Sequence, residues 1–317
     1  MDCAPSPHGK LSPQAASAIT TRVARLSVGV AVLLIALKGA AYLASGSVAM
    51  LSSLADSGLD VLASIFTLMA VRYAAAPPDA EHRFGHGKAE AFAGLIQGAF
   101  VVISASLVVI EALHRLANPH AAKATGWALA VMLISMGLTL ALVWAQSRAV
   151  RQTGSLATAG DRAHYLSDFA ANGAVILGLI GAGFFGLTWA DPAASLAVTG
   201  YLFHSAYTIW RGAADHLMDR ELSETERAAI QAIVLNEPGI LGVHALRTRA
   251  AGAGVHIELH ADVHGDLTVR AAHAILVGAE ARLHAVYPGA DVIIHVDPHE
   301  GAQAHGQELR AQSHAHS

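Results

Sequence analysis

Cysteine is nearly absent. Cys3 is the single one among 317 residues, so neither an internal disulfide nor a cysteine-based zinc finger is available. Charge is also scarce: 14% of residues are charged, against about 25% in soluble domains. Basic residues do not outnumber acidic ones. The net charge of −4 carries no general nucleic-acid footprint. The first twenty residues contain Pro5 and Pro13 but no apolar stretch, so no cleavable leader is expected and the first hydrophobic segment should be retained. What remains is apolar. Hydrophobic residues reach 54% with a mean hydropathy of +0.45, which excludes a disordered chain and exceeds what one soluble core needs.

The net charge hides a split. Residues 1–212 hold 13 Lys/Arg and 10 Asp/Glu, whereas residues 213–317 hold 7 and 14, together with 12 of the 19 histidines. A membrane-like half precedes an acidic, imidazole-rich half. Between Leu26 and Val71 the only charges are Lys38, Asp56 and Asp60. A bilayer core takes about 20 apolar residues per helix, so this run must fold back, and Ser45-Gly46-Ser47 supplies the turn. Hydropathy predicts helices at residues 22–44, 48–73, 91–113, 126–147, 157–185 and 187–210. Eleven basic residues, among them Lys10, Arg22, Arg83 and Arg151, fall on one side of these spans, and only Arg115 and Lys123 on the other. The positive-inside rule then puts both termini in the cytoplasm.

Beyond Arg211 the periodicity changes. Ser223 followed by Glu226 is a capping-type helix start. Residues 241–249 and 254–263 read as strands, with Gly252-Ala253-Gly254 as the turn, and the second strand alternates strictly from Val255 to Val263. A helix at 268–286 and a strand at 291–297 complete an αββαβ order. The expected architecture is a mainly α membrane protein: six transmembrane helices followed by a cytoplasmic ferredoxin-like αββαβ domain. The divisions are 1–20, a polar N-terminal segment; 21–212, the transmembrane domain; 213–298, the cytoplasmic domain; and 299–317, a His-rich disordered tail.

Two constellations stand inside the predicted membrane. Asp56 and Asp60 are four apart on one helix, as are His164 and Asp168 on another, so each pair shares a face. An ionised carboxylate in a bilayer costs several kcal/mol unless it is paired or hydrated. Three carboxylates and one imidazole from two facing helices are the donor types that Zn²⁺ takes in tetrahedral geometry. A divalent cation would offset most of their charge, and in its place protons must. Such a site links metal and proton binding thermodynamically. The bland alternative is a protonated or hydrogen-bonded set of packing residues.

These residues lie within a larger motif set: Leu54–Asp60, His82–Glu90, Asp161–Asp168, Asp219-Arg220, Leu246–Arg249 and Asp291–Asp297. In this order the set resembles the cation diffusion facilitator family, close to the bacterial zinc and ferrous-iron efflux branch, from about residue 20 to 298. The resemblance implies a homodimer that exports divalent cations against protons, and with both termini inside, the inner membrane is the expected location and no enzymatic activity is expected. It puts the transport site on Asp56, Asp60, His164 and Asp168, and a second site on Asp79, His82 and His86 of the loop after the second span. If that loop end is helical, the latter three converge. A two-metal cytoplasmic site at the dimer interface falls on His244, His260, His273, His295 and Asp297. Lys88 and Asp219 match a charge interlock where the two domains join. The helix-5 histidine of the family goes with zinc or cadmium rather than manganese, in line with imidazole chemistry. Zn²⁺ is therefore the expected substrate and structural ligand, with Cd²⁺ and Fe²⁺ as further substrates. Membrane lipid, a second copy, divalent metal and protons are the expected partners, and nucleic acid is not. The chain departs from the family by a shortened turn near Gly252, which leaves the pairing of His244 with His260 open, and His256, His264 and His284 have no counterpart.

Two other readings stand beside export. A membrane-anchored metal sensor or store would use only the C-terminal sites. A membrane metalloenzyme would need a nucleophile or an open metal position, and neither is evident beside four protein ligands.

Overall fold

A computed structural model describes residues 9–45, 48–117, 126–185 and 190–299. Six long helices come first: α1 (Pro13–Ser45), α2 (Val48–Ala74), α3 (Ala89–Ala117), α4 (Gly126–Thr153), α5 (Leu156–Phe185) and α6 (Ala190–Leu217). They are followed by α7 (Glu224–Leu235), β1 (Gly242–Ala251), β2 (Gly254–Val263), α8 (Val269–Val286) and β3 (Ala290–Pro298). The order is the expected one, and most ends move by only a few residues. The exceptions are α1, which starts nine residues early because Ala-rich sequence ahead of the apolar run is itself a good helix former, and α4 and α6, which run on six and seven residues past their apolar stretches. Among the described residues, four helices are long and apolar enough to cross a membrane: those within Pro13–Leu43, Asp56–Ala74, Ala89–His114 and Ala130–Thr153. The turn at Gly46-Ser47 and the tail from residue 300 lie outside the described residues.

The chain divides into two compact units, Ser17–Ala214 and a second formed by Met1–Ala16 with Asp215–Ser317. In the helical unit α5 packs against α2, α3 and α4. Small residues bring the backbones close. A Cβ on Gly160 of α5 would lie 2.6 Å from the Gln97 side chain of α3, and one on Gly98 would meet the Trp210 ring of α6. That ring donates its indole N–H to the Leu95 carbonyl at 2.9 Å.

The second unit is a three-stranded sheet in the order β1-β2-β3, with β1 antiparallel and β3 parallel to β2. Helices α7 and α8 cover one face. Ile230, Val234, Ile257, Leu259, Leu276, Leu283 and Tyr287 form the apolar core. Ser223 caps α7, its Oγ accepting the Glu226 N–H at 3.3 Å while donating to the Glu226 carboxylate at 2.8 Å. The N-terminal segment is not merely a polar lead-in. Gly9 donates its N–H to the Ala253 carbonyl and accepts from Gly289, and the Lys10 ammonium sits 4.2 Å above the Tyr287 ring.

Strand β1 contains a bulge. Two residues, Ala245 and Leu246, stand opposite Leu259 alone between the pairs His244↔His260 and Arg247↔Glu258, and Ala245 takes φ +50°. Strict alternation would put His244 and Leu246 on one face. The bulge sends Leu246 into the core and His244 to the opposite face, directly across from His260. The open pairing question is thereby answered.

Candidate functional site

Asp60 reaches the interior of the helical unit from α2, and His164 and Asp168 reach it from α5. One donor atom from each lies within 4.8 Å of the others. His164 Nε2 is 3.1 Å from Asp60 Oδ1 and 3.9 Å from Asp168 Oδ2. Ligands of one tetrahedral Zn²⁺, at about 2.0–2.2 Å from the metal, stand at comparable separations. Asp60 and His164 are buried, while Asp56, one turn earlier, is exposed and lies outside that grouping. His164 Nδ1 and Asp168 Oδ2 are buried without a hydrogen-bond partner, which suits donors waiting for a cation.

Around this cluster runs a polar framework that sequence spacing did not reveal as such. The Tyr165 hydroxyl meets Ser64 Oγ at 2.7 Å. Gln146 of α4 donates to Asp161 Oδ2 at 2.8 Å and to Ser27 Oγ of α1 at 3.1 Å. Gln97 of α3 donates to Thr67 Oγ1 of α2 at 2.6 Å. Lys38 of α1 donates to Ser57 Oγ at 2.7 Å and to the Ser53 carbonyl at 3.4 Å. Asp161 could have been found, since it sits three residues before His164 on the same face.

The loop residues Asp79, His82 and His86 also converge, though not through a helix. Asp79 Oδ1 accepts the backbone N–H groups of Glu81 and His82, at 2.9 and 2.6 Å, in an Asx-type turn that pulls the chain around the carboxylate. Those bonds, the His82 one foremost, hold the Asp79 carboxyl below its ordinary pKa. His86 Nε2 and His82 Nδ1 each stand 3.3 Å from the Asp79 carboxylate. His86 Nδ1 is 3.3 Å from the Ala76 carbonyl, which can only accept. With Nδ1 turned to that carbonyl, Nε2 is the ring atom that faces the Asp79 carboxylate, the orientation in which an outer-shell carbonyl commonly holds a metal-binding imidazole.

In the sheet unit, His244, His260 and Asp297 form the third cluster. Asp297 Oδ2 lies 2.8 Å from His260 Nδ1 and 3.3 Å from His244 Nε2, and its Oδ1 lies 3.4 Å from His295 Nε2. The His260 and His295 rings are 4.6 Å apart. His273 is exposed on α8, outside the grouping. Two residues extend the cluster beyond expectation: Asp262 Oδ1 is 3.1 Å from His244 Nδ1, and His299 Nδ1 is 3.8 Å from Asp262 Oδ2. The alternation of β2 had already put Asp262 on the His260 face, which was the available signal. His244 Nε2 and Asp262 Oδ1 are buried and lack hydrogen bonds, so this donor set also fits a divalent cation.

Asp219, at φ +55°, accepts from Arg249 at 3.2 Å, and Lys88 lies immediately before α3 in the other unit. His256, without a counterpart at first, pairs with Asp291 at 3.2 Å. Burial, then the Arg249 charge, pushes its pKa down.

A family profile described as "Cation efflux transmembrane domain" matches residues 24–218, and one described as "Cation efflux protein, cytoplasmic domain" matches residues 222–299. The chain is 41% identical over 274 residues to the cation-efflux pump FieF of Shewanella oneidensis, covering 86% of this chain and 92% of that protein. It is 39% identical over 280 residues to FieF of Pectobacterium carotovorum, covering 88% and 93%. A solved structure of CzrB in its zinc form shares 35% identity over 26% of this chain and 96% of that one, at a TM-score of 0.24.

Proposed function

We propose a function from one premise: the chain belongs to the cation efflux family, whose members are transporters and not enzymes. It is a membrane protein that exports divalent metal cations. In our reading Zn²⁺ is the principal substrate, with Cd²⁺ and Fe²⁺ carried as well, and export runs against protons. Six helices span the bacterial inner membrane, both termini face the cytoplasm, and two copies pair through the C-terminal unit.

The observation that carries this reading is the Asp60–His164–Asp168 cluster, with Asp60 and His164 buried, Asp168 half-buried and donor atoms unsatisfied, set in a bundle whose outer surface is apolar. Asp56 supplies the fourth donor by a shift of α2 against α5. The substrate cation arrives from the cytoplasm and displaces protons from the carboxylates and the imidazole. It leaves outward when protons return, with rocking of the helices alternating access. The imidazole favours Zn²⁺ over hard cations such as Mn²⁺. Asp79, His82 and His86 form an accessory site on the cytoplasmic side. His244, His260, His273, His295 and Asp297 hold Zn²⁺ that stabilises the dimer by mass action.

The test is Zn²⁺ flux into proteoliposomes under an imposed pH gradient. Asp60→Ala and Asp168→Ala should reduce flux to the protein-free background while the protein stays monodisperse. His164→Asp should shift competition from Zn²⁺ towards Mn²⁺. Wild-type rates in both carboxylate variants would overturn the mechanism.

A further inference from the structure

Lys38 is the only charge between Arg25 and Asp56, and it lies within the apolar span Pro13–Leu43. An ammonium at such a position is costly and marks function by default. Here it rests on two neutral acceptors of α2, Ser57 Oγ at 2.7 Å and the Ser53 carbonyl at 3.4 Å. Those acceptors belong to a polar seam on α2. Ser53, Ser57, Asp60 and Ser64 recur at spacings of four, three and four, which keeps them on one helix face. Along the seam Lys38 meets Ser57, His164 meets Asp60 and Tyr165 meets Ser64. Ser57 to Asp60 is a rise of about 4.5 Å, within the sweep of a lysine side chain on its flexible four-carbon stem. Asp56 adjoins Ser57 in the chain and is open on its helix.

We propose that Lys38 is a tethered counter-cation of the intramembrane site, its ammonium moving between the Ser57/Ser53 rest position and the Asp56/Asp60 carboxylates and so competing with the divalent cation for them. The proposal rests on the transport reading above. A cation bound at Asp60, His164 and Asp168 repels the ammonium back to Ser57. When that cation departs, the ammonium joins the returning protons in relieving the carboxylates. The device weakens binding and speeds release, so it acts oppositely on affinity and turnover. A purely structural lysine would not do that.

The test is the KM and kcat of Zn²⁺ flux in proteoliposomes at fixed pH, with Asp60→Ala alongside. Lys38→Gln removes the competitor. KM should fall about tenfold and kcat should fall with it, because release slows. Ser57→Ala removes the rest position and leaves the ammonium on the carboxylates, so KM should rise severalfold. Lys38→Arg should stay near wild type. KM unchanged in both Lys38→Gln and Ser57→Ala, or moved in the same direction by both, overturns the counter-cation role. Should Lys38→Gln fail to fold, a KM for Ser57→Ala at or below wild type overturns it equally. Flux that persists in Asp60→Ala sinks the transport reading itself, whereas flux that needs Asp60 but ignores Lys38 and Ser57 sinks this proposal alone.

Discussion

In the helical unit the side chains shut away from solvent include Gln97, Gln146, Ser57 and Ser64, while Leu59, Met69, Leu107 and Trp144 face outward. In the C-terminal unit the arrangement is reversed: Ile230, Ile257, Leu259 and Leu283 are inside, and Arg247, Glu258 and His295 are outside. Each unit is matched to its solvent. In lipid, exposing leucine costs nothing, and helices associate through small residues and hydrogen bonds. In water, burial of apolar area is the main driving force. The contrast extends to the metal clusters. Asp60 and His164 are buried, so a spare charge on them is costly and the pair needs a cation or protons. Around Asp297 the sheet face is open enough at His295 for solvent to share that role.

The contrast can be broken in three places. The largest effect concerns the two carboxylates. Asp60→Ala should leave no flux above background, whereas Asp297→Ala should leave measurable flux, reduced a few-fold, with less Zn²⁺ retained in the purified dimer. Equal losses in the two variants would mean that the clusters do the same job. Next comes packing. Leu259→Ala, in the sheet core, should cost about 2–5 kcal/mol in reversible denaturant unfolding of that unit. Leu107→Ala, on the outer face of α3, should cost less than about 1 kcal/mol in lipid, because no packed neighbour is lost. Comparable costs would contradict the assignment of that face to lipid. The smallest effect is one of pH. His256 has a lowered pKa in the folded unit, so the unfolded chain takes up its proton first. Stability tied to His256 is intact above the unfolded value of 6.5 and is lost as pH falls through the lowered folded one. His256→Gln should flatten the thermal stability profile in that window, and an unchanged slope would count against the burial of that ring.

Much of the fold was legible in order along the chain. The six apolar runs, the Ser223 cap and the strict alternation of β2 all report local physics: hydrophobic periodicity and the capping of open N–H groups. The pairing of His164 with Asp168 was legible for the same reason, since a four-residue spacing dictates a shared helix face. The opposition of His244 and His260 was not. It depends on a bulge at Ala245 that no residue type there announces. Asp79 gathers its two histidines through an Asx turn rather than a helical turn, because its short carboxylate outcompetes the backbone for nearby N–H groups. Gly9, in an apparently featureless leader, becomes part of the sheet unit only because Ala253 and Gly289 leave backbone groups to be met.

By itself, then, the amino-acid order determined which stretches are apolar, which segments become helix or strand, and which donor types share a face. These properties follow from neighbours within a few residues of one another. Only the tertiary structure decided that Lys38 rests on Ser57, that Gln146 ties Asp161 to Ser27, and that Asp262 and His299 join the cytoplasmic cluster. Those contacts join residues from 15 to 119 positions apart, or turn on a single inserted residue in a strand, and their geometry is set by how whole elements pack.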